Sequence, residues 1–178
     1  LYERNAQLKC NARIKWEEYR ISIGRQELNW LYAKYQPHGD PILSLCSFCR
    51  TEEEDEIHLY TRCYEVDQYW SESRLWYSTI LGCKPPLRTS GPKIFGIEAE
   101  PWNSLENIFY RSVRYAVFKA RHSRTPPDLT TLRGLVFDEL ERKYSHNRHL
   151  RYEESEQVAI SWYLRQRKER PLEPLFGK

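Results

Sequence analysis

Apolar residues recur every three or four positions along most of the chain, a period that predicts a mainly α-helical fold. Helical composition extends from Asn5 to Tyr35, with an expected break at Gly24. A second amphipathic stretch follows Cys63 and ends at Gly82, a residue type that commonly stops a helix. Its stripe is expected to be core and comprises Val66, Tyr69, Trp70, Trp76, Tyr77, Ile80 and Leu81.

Three more helices are expected in the C-terminal half. Asn103 or Ser104 should cap a helix that runs to about His122, and Asp128 should cap the next one. The last helix is predicted from about Glu153 to Arg170, with acids at its start and bases at its end, as the helix dipole favours. The predicted buried stripes of the first two are Leu105, Phe109, Val113, Ala116 and Ala120, and Leu129, Leu132, Val136 and Leu140.

Turn-forming and proline-rich stretches divide the chain into four segments. These are an N-terminal helical segment (1–36), a metal module with its following helix (37–83), a proline-rich connector (84–102), and C-terminal helices with a tail (103–178). The prolines of the connector exclude a long helix there.

Four potential metal ligands fall within eighteen residues: Cys46, Cys49, His58 and Cys63. The Cys-x2-Cys spacing places two thiolates on one tight turn, and the set predicts a structural zinc site with a full Cys3His shell and no open position for a catalytic water. A disulfide and ordinary buried cysteines are the weaker alternatives. His58 and Cys63 would lie about 140° apart on a regular helix, so the segment must distort or end in a widened turn. The acidic run Glu52–Glu56 suits the start of that helix.

Composition narrows these possibilities only slightly. The 178 residues carry a mild net charge of +3, so the arrangement of the basic residues matters more than their number. The sequence contains no apolar run of about eighteen residues, and we expect no membrane association. The chain starts at Leu1 and contains no methionine, so we expect a piece of a longer protein. Cys10 and Cys83 lie outside the ligand set and are assigned as free thiols.

Two groups of basic residues are candidates for phosphate contact. On a helical wheel several lie in one arc beside the apolar face of the helix after Ser104, an arrangement that suits a phosphate backbone. This first group is Arg111, Arg114, Lys119, Arg121 and Arg124. The second group lies among N-terminal aromatic residues, which could stack on bases, and comprises Lys15, Arg20, Arg25 and Lys34. For both groups, a merely solvated face is the open alternative.

Cys46-x2-Cys49, a glutamate-rich spacer, His58-Leu-Tyr-x2-Cys63 and Trp70 together resemble the zinc-binding segment that follows the reverse transcriptase domain in LINE-type, non-LTR retrotransposon polyproteins. Weaker similarity to the flanking regions of that family covers Leu28–Tyr35, Ile94–Ile97, Tyr115–Arg121 and Pro126–Leu129. The resemblance implies zinc on the four ligands above. It also implies a C-terminal domain that engages element RNA or target DNA during target-primed reverse transcription, in partnership with the upstream polymerase domain.

The same resemblance implies that the chain itself is not an enzyme, because it contains no Tyr-x-Asp-Asp polymerase signature, and that it occurs in the nucleus and cytoplasm. One alternative is an interaction module that docks on the polymerase core or a host protein. Another is a restriction-like, metal-dependent endonuclease using Pro127-Asp128 and Glu141-Arg-Lys143. Against it, Asp128 is better explained as a helix cap, and Glu141 and Lys143 lie on one predicted helix where a nuclease core needs strands.

Overall fold

The computed structural model describes residues 12–22, 26, 28–35, 44–81, 93, 104–145 and 154–169. Within these ranges the α-helices are α1 (Ala12–Ser22), α2 (Asn29–Tyr35), α3 (Tyr64–Leu81), α4 (Leu105–Ser123), α5 (Leu129–Ser145) and α6 (Glu154–Glu169). A π-helical turn, His58–Arg62, precedes α3 and is called the π-turn below. Among the described residues, β pairing is limited to one isolated bridge between Leu45 and Glu53. The mainly α-helical prediction is confirmed.

Helix α4 is the centre of the fold. Fourteen of its nineteen residues are buried, which makes it a core helix and not a surface helix with one apolar stripe. It packs against α5, α1 and α3, and all five residues of its predicted apolar face are buried. The side chain of Ser104 accepts a hydrogen bond from the backbone N–H of Asn107 (3.2 Å), so the predicted N-cap is confirmed.

Helix α3 joins this core to the π-turn through aromatic side chains. The ring of Trp70 lies 6.1 Å from that of Phe109 and 5.7 Å from that of Tyr110, both on α4. Its indole N–H donates to the carbonyl oxygen of Tyr60 in the π-turn (2.9 Å). The predicted core stripe of α3 is confirmed for Val66, Tyr69, Trp70, Trp76 and Tyr77; the side chains of Ile80 and Leu81 lie outside the described part.

Helices α5 and α6 complete the helical core: α5 packs against α3 and α4, and α6 packs against α3 and α5. The rings of Trp76 on α3 and Trp162 on α6 meet edge to face at 5.8 Å. Lys143 of α5 forms an ion pair with Glu156 of α6. Gly24, Gly82, the tail and most of the connector fall outside the described residues. Lys93 of the connector is described: its Nζ is 2.8 Å from Asp67 Oδ1 and lies over the Trp70 ring.

The start of α5 offers a direct test of capping. Asp128 accepts from the Thr131 backbone N–H (2.9 Å) and the Thr131 hydroxyl (2.7 Å), and these hydrogen bonds, the hydroxyl foremost, lower the pKa of Asp128. Replacing Asp128 with alanine should therefore destabilise the fold by about 1 kcal/mol at neutral pH. The advantage of the wild type over alanine should shrink as the pH falls through this lowered pKa, because the carboxylate accepts these hydrogen bonds more strongly than the protonated carboxyl group does.

Urea unfolding at a series of pH values measures this difference. Asp128→Asn is the matched control: an asparagine cap keeps the hydrogen bond to the helix, so it should retain most of the stability without the pH dependence. A loss as large for asparagine as for alanine at neutral pH would contradict the capping role.

Candidate metal centre

The π-turn brings His58 and Cys63 to the same side of the chain. The backbone N–H of Cys63 donates to the carbonyl oxygen of His58 (2.8 Å), an i to i+5 bond that widens the turn. The widened turn expected from the spacing is therefore confirmed. Asp55, from the acidic run, accepts from the backbone N–H of His58 (2.5 Å), three residues further on, and so caps the helical residues Glu56 and Ile57 that lead into the π-turn. Leu59 and Tyr60 are fully buried, so the turn is fixed to the core between the two ligands.

The first two ligands lie on a tight loop. Arg50 N–H donates to the carbonyl of Cys46 (3.0 Å), and Cys46 N–H donates to the carbonyl of Glu52 (2.8 Å). Arg50 has a positive φ of 55°, which lets the chain reverse immediately after Cys49. The loop thus folds back on the segment that leads to His58.

These two segments converge so that the four predicted ligand atoms all lie within 4.8 Å of one another, and all four residues are buried. Cys46 Sγ is 3.8 Å from Cys63 Sγ, and Cys49 Sγ is 3.3 Å from His58 Nε2. In a tetrahedral zinc site, with bonds of about 2.3 Å to sulfur and about 2.0 Å to nitrogen, the corresponding separations are about 3.8 and 3.6 Å. The three cysteines are free, and a 3.8 Å separation is far beyond an S–S bond, so the disulfide alternative is wrong for them.

Neighbouring groups favour the thiolate form at two of the three cysteines, Cys49 and Cys63. Burial alone would raise the pKa of Cys49, but hydrogen bonds from the Thr51 hydroxyl and from backbone N–H groups lower it. The hydrogen bond from the Cys46 thiol lowers the pKa of Cys63 to about 5, and the same bond raises the pKa of Cys46. Thiolates are the metal-binding form of cysteine, so this environment fits a cation at the centre of the cluster.

A carboxylate orients the histidine. Glu52 Oε2 lies 3.1 Å from Nδ1 of His58, which leaves Nε2 turned toward Cys49. A metal-binding histidine usually hydrogen-bonds a carboxylate or carbonyl through its other ring nitrogen, and such a partner fixes the tautomer. The role of Glu52 was missed from the sequence, where it is one of five consecutive acids.

A second glutamate of the same run, Glu54, connects the metal loop to the helical core. Its side chain is completely buried. Oε2 accepts from the backbone N–H of Ser47, inside the Cys-x2-Cys turn (2.7 Å). Oε1 accepts from the first backbone N–H of α2, at Asn29 (3.1 Å), and from Arg121 Nε on α4 (2.5 Å). One carboxylate therefore holds three separate segments.

Asn29 completes this network. Its side-chain amide donates to the carbonyl of Leu45 (2.7 Å) and the hydroxyl of Ser47 (3.2 Å), while its carbonyl oxygen accepts from Arg121 Nη2 (2.9 Å). Neither Glu54 nor Asn29 carries a signal in the sequence that marks it as part of this network, because both pair with residues distant along the chain. The metal loop is thus fixed to the core by polar contacts as well as by packing.

The structure corrects the first group of phosphate-contact candidates. Arg111, Arg114 and Arg121 are buried, so their predicted role in phosphate contact is wrong for this fold. Arg111 donates from Nε (3.1 Å) and Nη2 (2.7 Å) to Glu139, and Arg121 pairs with Glu54. Arg114 is 1% exposed, with its Nη1 3.4 Å from the Lys93 carbonyl. These guanidinium groups bind within the core.

The remaining candidates stay nearer the surface. Lys119, Arg124 and Lys34 are exposed, and Lys34 Nζ lies 5.7 Å from the centroid of the Trp30 ring. Lys15 is half-buried. The side chain of Arg20 is 14% exposed and lies 3.6 Å from Glu17. Arg25 lies outside the described residues.

The residues of the nuclease alternative do not converge on an obvious metal site. Asp128 is committed to the cap of α5, whereas Glu141 and Lys143 lie on α5 itself. Lys143 is paired with Glu156.

Comparisons with known proteins add no relative: no protein-family model, curated protein or solved structure matches the chain. Within the described ranges, no helix has the length and apolar character needed to cross a membrane.

Proposed function

We propose that Cys46, Cys49, His58 and Cys63 bind one zinc ion with a structural role. The observation that supports this is the convergence of three sulfurs and one imidazole nitrogen within 4.8 Å of one another in a buried site, with two of the separations close to those of a tetrahedral zinc shell. Four protein ligands fill a tetrahedral shell, so the ion would hold the metal loop and the π-turn together.

We further propose that the chain is a non-catalytic, nucleic-acid-binding C-terminal domain of a non-LTR retrotransposon reverse transcriptase, which engages element RNA or target DNA. Support comes from the residues on which the family resemblance rests, since the Cys3His set is assembled and Trp70 is hydrogen-bonded to the π-turn between two of the ligands. The partner in the same polyprotein would be the upstream polymerase domain.

The charge of the metal module limits where nucleic acid can bind. Between residues 44 and 72 the chain carries eight Asp or Glu residues and two Arg. Several of these acids are exposed, including Glu53, Glu65 and Glu72. This surface would repel a phosphate backbone. The contacts with nucleic acid should therefore come from exposed basic side chains elsewhere, such as Lys119 and Arg124.

The same acidic surface favours a second candidate function, docking on a basic protein surface. The two functions differ in one simple property. A nucleic-acid-binding domain retards labelled RNA or DNA at physiological salt, whereas a pure docking module does not.

Reversing the two exposed charges on and beside the end of α4, in the variant Lys119→Glu/Arg124→Glu, should weaken nucleic-acid binding. Each phosphate contact that is lost should also reduce the salt dependence of the affinity, by about one unit in the slope of log K against log salt concentration. Fluorescence anisotropy across a salt series measures both quantities.

Arg62→Glu is the matched control, because Arg62 is exposed but lies within the acidic stretch between residues 44 and 72. The affinity of this variant for nucleic acid should stay close to that of the wild type. If the wild-type chain fails to bind RNA or DNA at physiological salt, the nucleic-acid function is refuted and docking on a protein is favoured. Binding unaffected by the double reversal would exclude these two residues as contacts.

A further inference from the structure

Helix α1 presents an aromatic surface that the core does not use. Trp16 is 57% exposed, although tryptophan is normally among the most buried side chains on average. Its ring centroid lies 5.6 Å from that of Tyr19, with only 31° between the planes. The two rings therefore form one tilted, nearly continuous surface on the outside of the helix.

The orientation of α1 is fixed by its opposite face. Ile14 and Ile21 are buried, and α1 packs on the central helix α4. Because residues three or four apart share a helix face, Trp16 is flanked by Arg13 on one side and Arg20 on the other. Arg13 is exposed, while most of the Arg20 side chain is buried beside Glu17.

An exposed tryptophan and a partly exposed tyrosine beside a cation form a combination that binds single-stranded nucleic acid. Bases have a flat face that stacks on tryptophan or tyrosine, and the adjacent arginine neutralises a phosphate. In a duplex the faces of the bases are already stacked on one another, so the rings gain nothing there. A protein partner would also cover aromatic surface, but it would not produce a preference for unpaired strands.

We propose that Trp16 and Tyr19, with Arg13, form a stacking platform for unpaired bases of RNA or DNA. This proposal rests on the nucleic-acid function proposed above and specifies it. Single strands bind on α1 by stacking of their nucleobases. Exposed lysine and arginine side chains elsewhere add electrostatic attraction that is the same for single strands and duplexes. Arg13 was not a candidate in the sequence, where only Lys15 and Arg20 were singled out on this helix.

The test compares the full chain with Trp16→Ala and Trp16→Phe, using fluorescence anisotropy with one oligonucleotide sequence as single-stranded RNA, single-stranded DNA and duplex DNA. Trp16→Ala should weaken binding to both single strands by about tenfold, because stacking on one aromatic ring contributes at about that level. Trp16→Phe should recover most of that loss, and duplex binding should be unchanged for both variants. Thermal unfolding confirms that the exposed substitution leaves the fold intact.

Tyr64→Ala is the matched control, because Tyr64 is an aromatic residue of similar exposure, 62%, that lies in the acidic stretch between residues 44 and 72. It should leave all affinities unchanged. If the wild type binds single strands and Trp16→Ala binds them equally well, the platform is excluded while the nucleic-acid function stands. An equal loss on single strands and duplex also overturns stacking. If the wild type binds no nucleic acid, both proposals fall together.

Discussion

Replacing Cys46 with serine is expected to release the zinc ion and unfold the metal module. A serine hydroxyl is a poor zinc ligand, and the remaining two thiols and imidazole would leave an incomplete shell in a buried site. Structural zinc contributes about 10 kcal/mol or more to the folding of small zinc modules, which is as large as the whole stability of a typical domain, about 5–15 kcal/mol. The three cysteines also belong to the same buried cluster as Trp70 and Phe109, so the loss should spread into α3 and α4.

Native mass spectrometry and circular dichroism measure the two consequences. The wild-type chain should carry one zinc ion and lose helical signal when a strong chelator removes it. Cys46→Ser should carry none and show the reduced signal without chelator. Cys10→Ser is the matched control, since Cys10 lies outside the ligand spacing, and it should retain both the ion and the fold. A wild-type chain that is fully folded without metal would rule out a structural role for the cluster.

The Cys3His cluster was predictable from the sequence because its information is local. All four ligands fall between residues 46 and 63, and zinc imposes a known number and type of donor. Even the distortion of the helix followed from the five-residue spacing of His58 and Cys63, since a regular helix cannot turn both toward one ion. The i to i+5 bond of the π-turn is the local solution.

The surface of α4 was not predictable from its pattern. The helical wheel assumes that charged residues face solvent, but three arginines of this helix face the interior. Their acidic partners are far away in the sequence: Glu139 is 28 residues from Arg111, and Glu54 is 67 residues from Arg121. A charged residue is rarely buried unless it is paired, and only the tertiary fold shows that these pairs exist.

The individual roles of the acidic residues Glu52–Glu56 were not predictable from the sequence either. Among five consecutive acids, Glu52 orients the His58 ring, Asp55 accepts from the His58 backbone N–H and Glu54 is buried, whereas Glu53 is exposed. Composition alone describes all five as a solvated loop. Their separate functions depend on the direction each side chain takes once the loop folds around the cysteines.

Replacing Glu54 with glutamine is expected to destabilise the fold by about 3–5 kcal/mol, because it leaves the Arg121 guanidinium buried without its counter-charge. Chemical unfolding of Glu54→Gln and Arg121→Met against the wild type measures this loss. Lys119→Gln is the control on the same helix, and as an exposed substitution it should change the stability by less than about 0.5 kcal/mol. A change that small for Glu54→Gln would show that the ion pair is dispensable.

The position of Glu54 makes a further distinction possible. Its other oxygen holds the Ser47 N–H in the Cys-x2-Cys turn, so Glu54→Gln should also speed the transfer of zinc to a competing chelator. Arg111→Met breaks the other buried pair, with Glu139, in the contact between α4 and α5. It should also destabilise the fold, though less strongly because Glu139 keeps its ion pair with Arg142 (2.9 Å), and under native conditions it should leave the rate of zinc release close to that of the wild type. If both variants released zinc equally fast, Glu54 would stabilise only the helical core, and the coupling of the metal loop to α4 would have to come from packing instead.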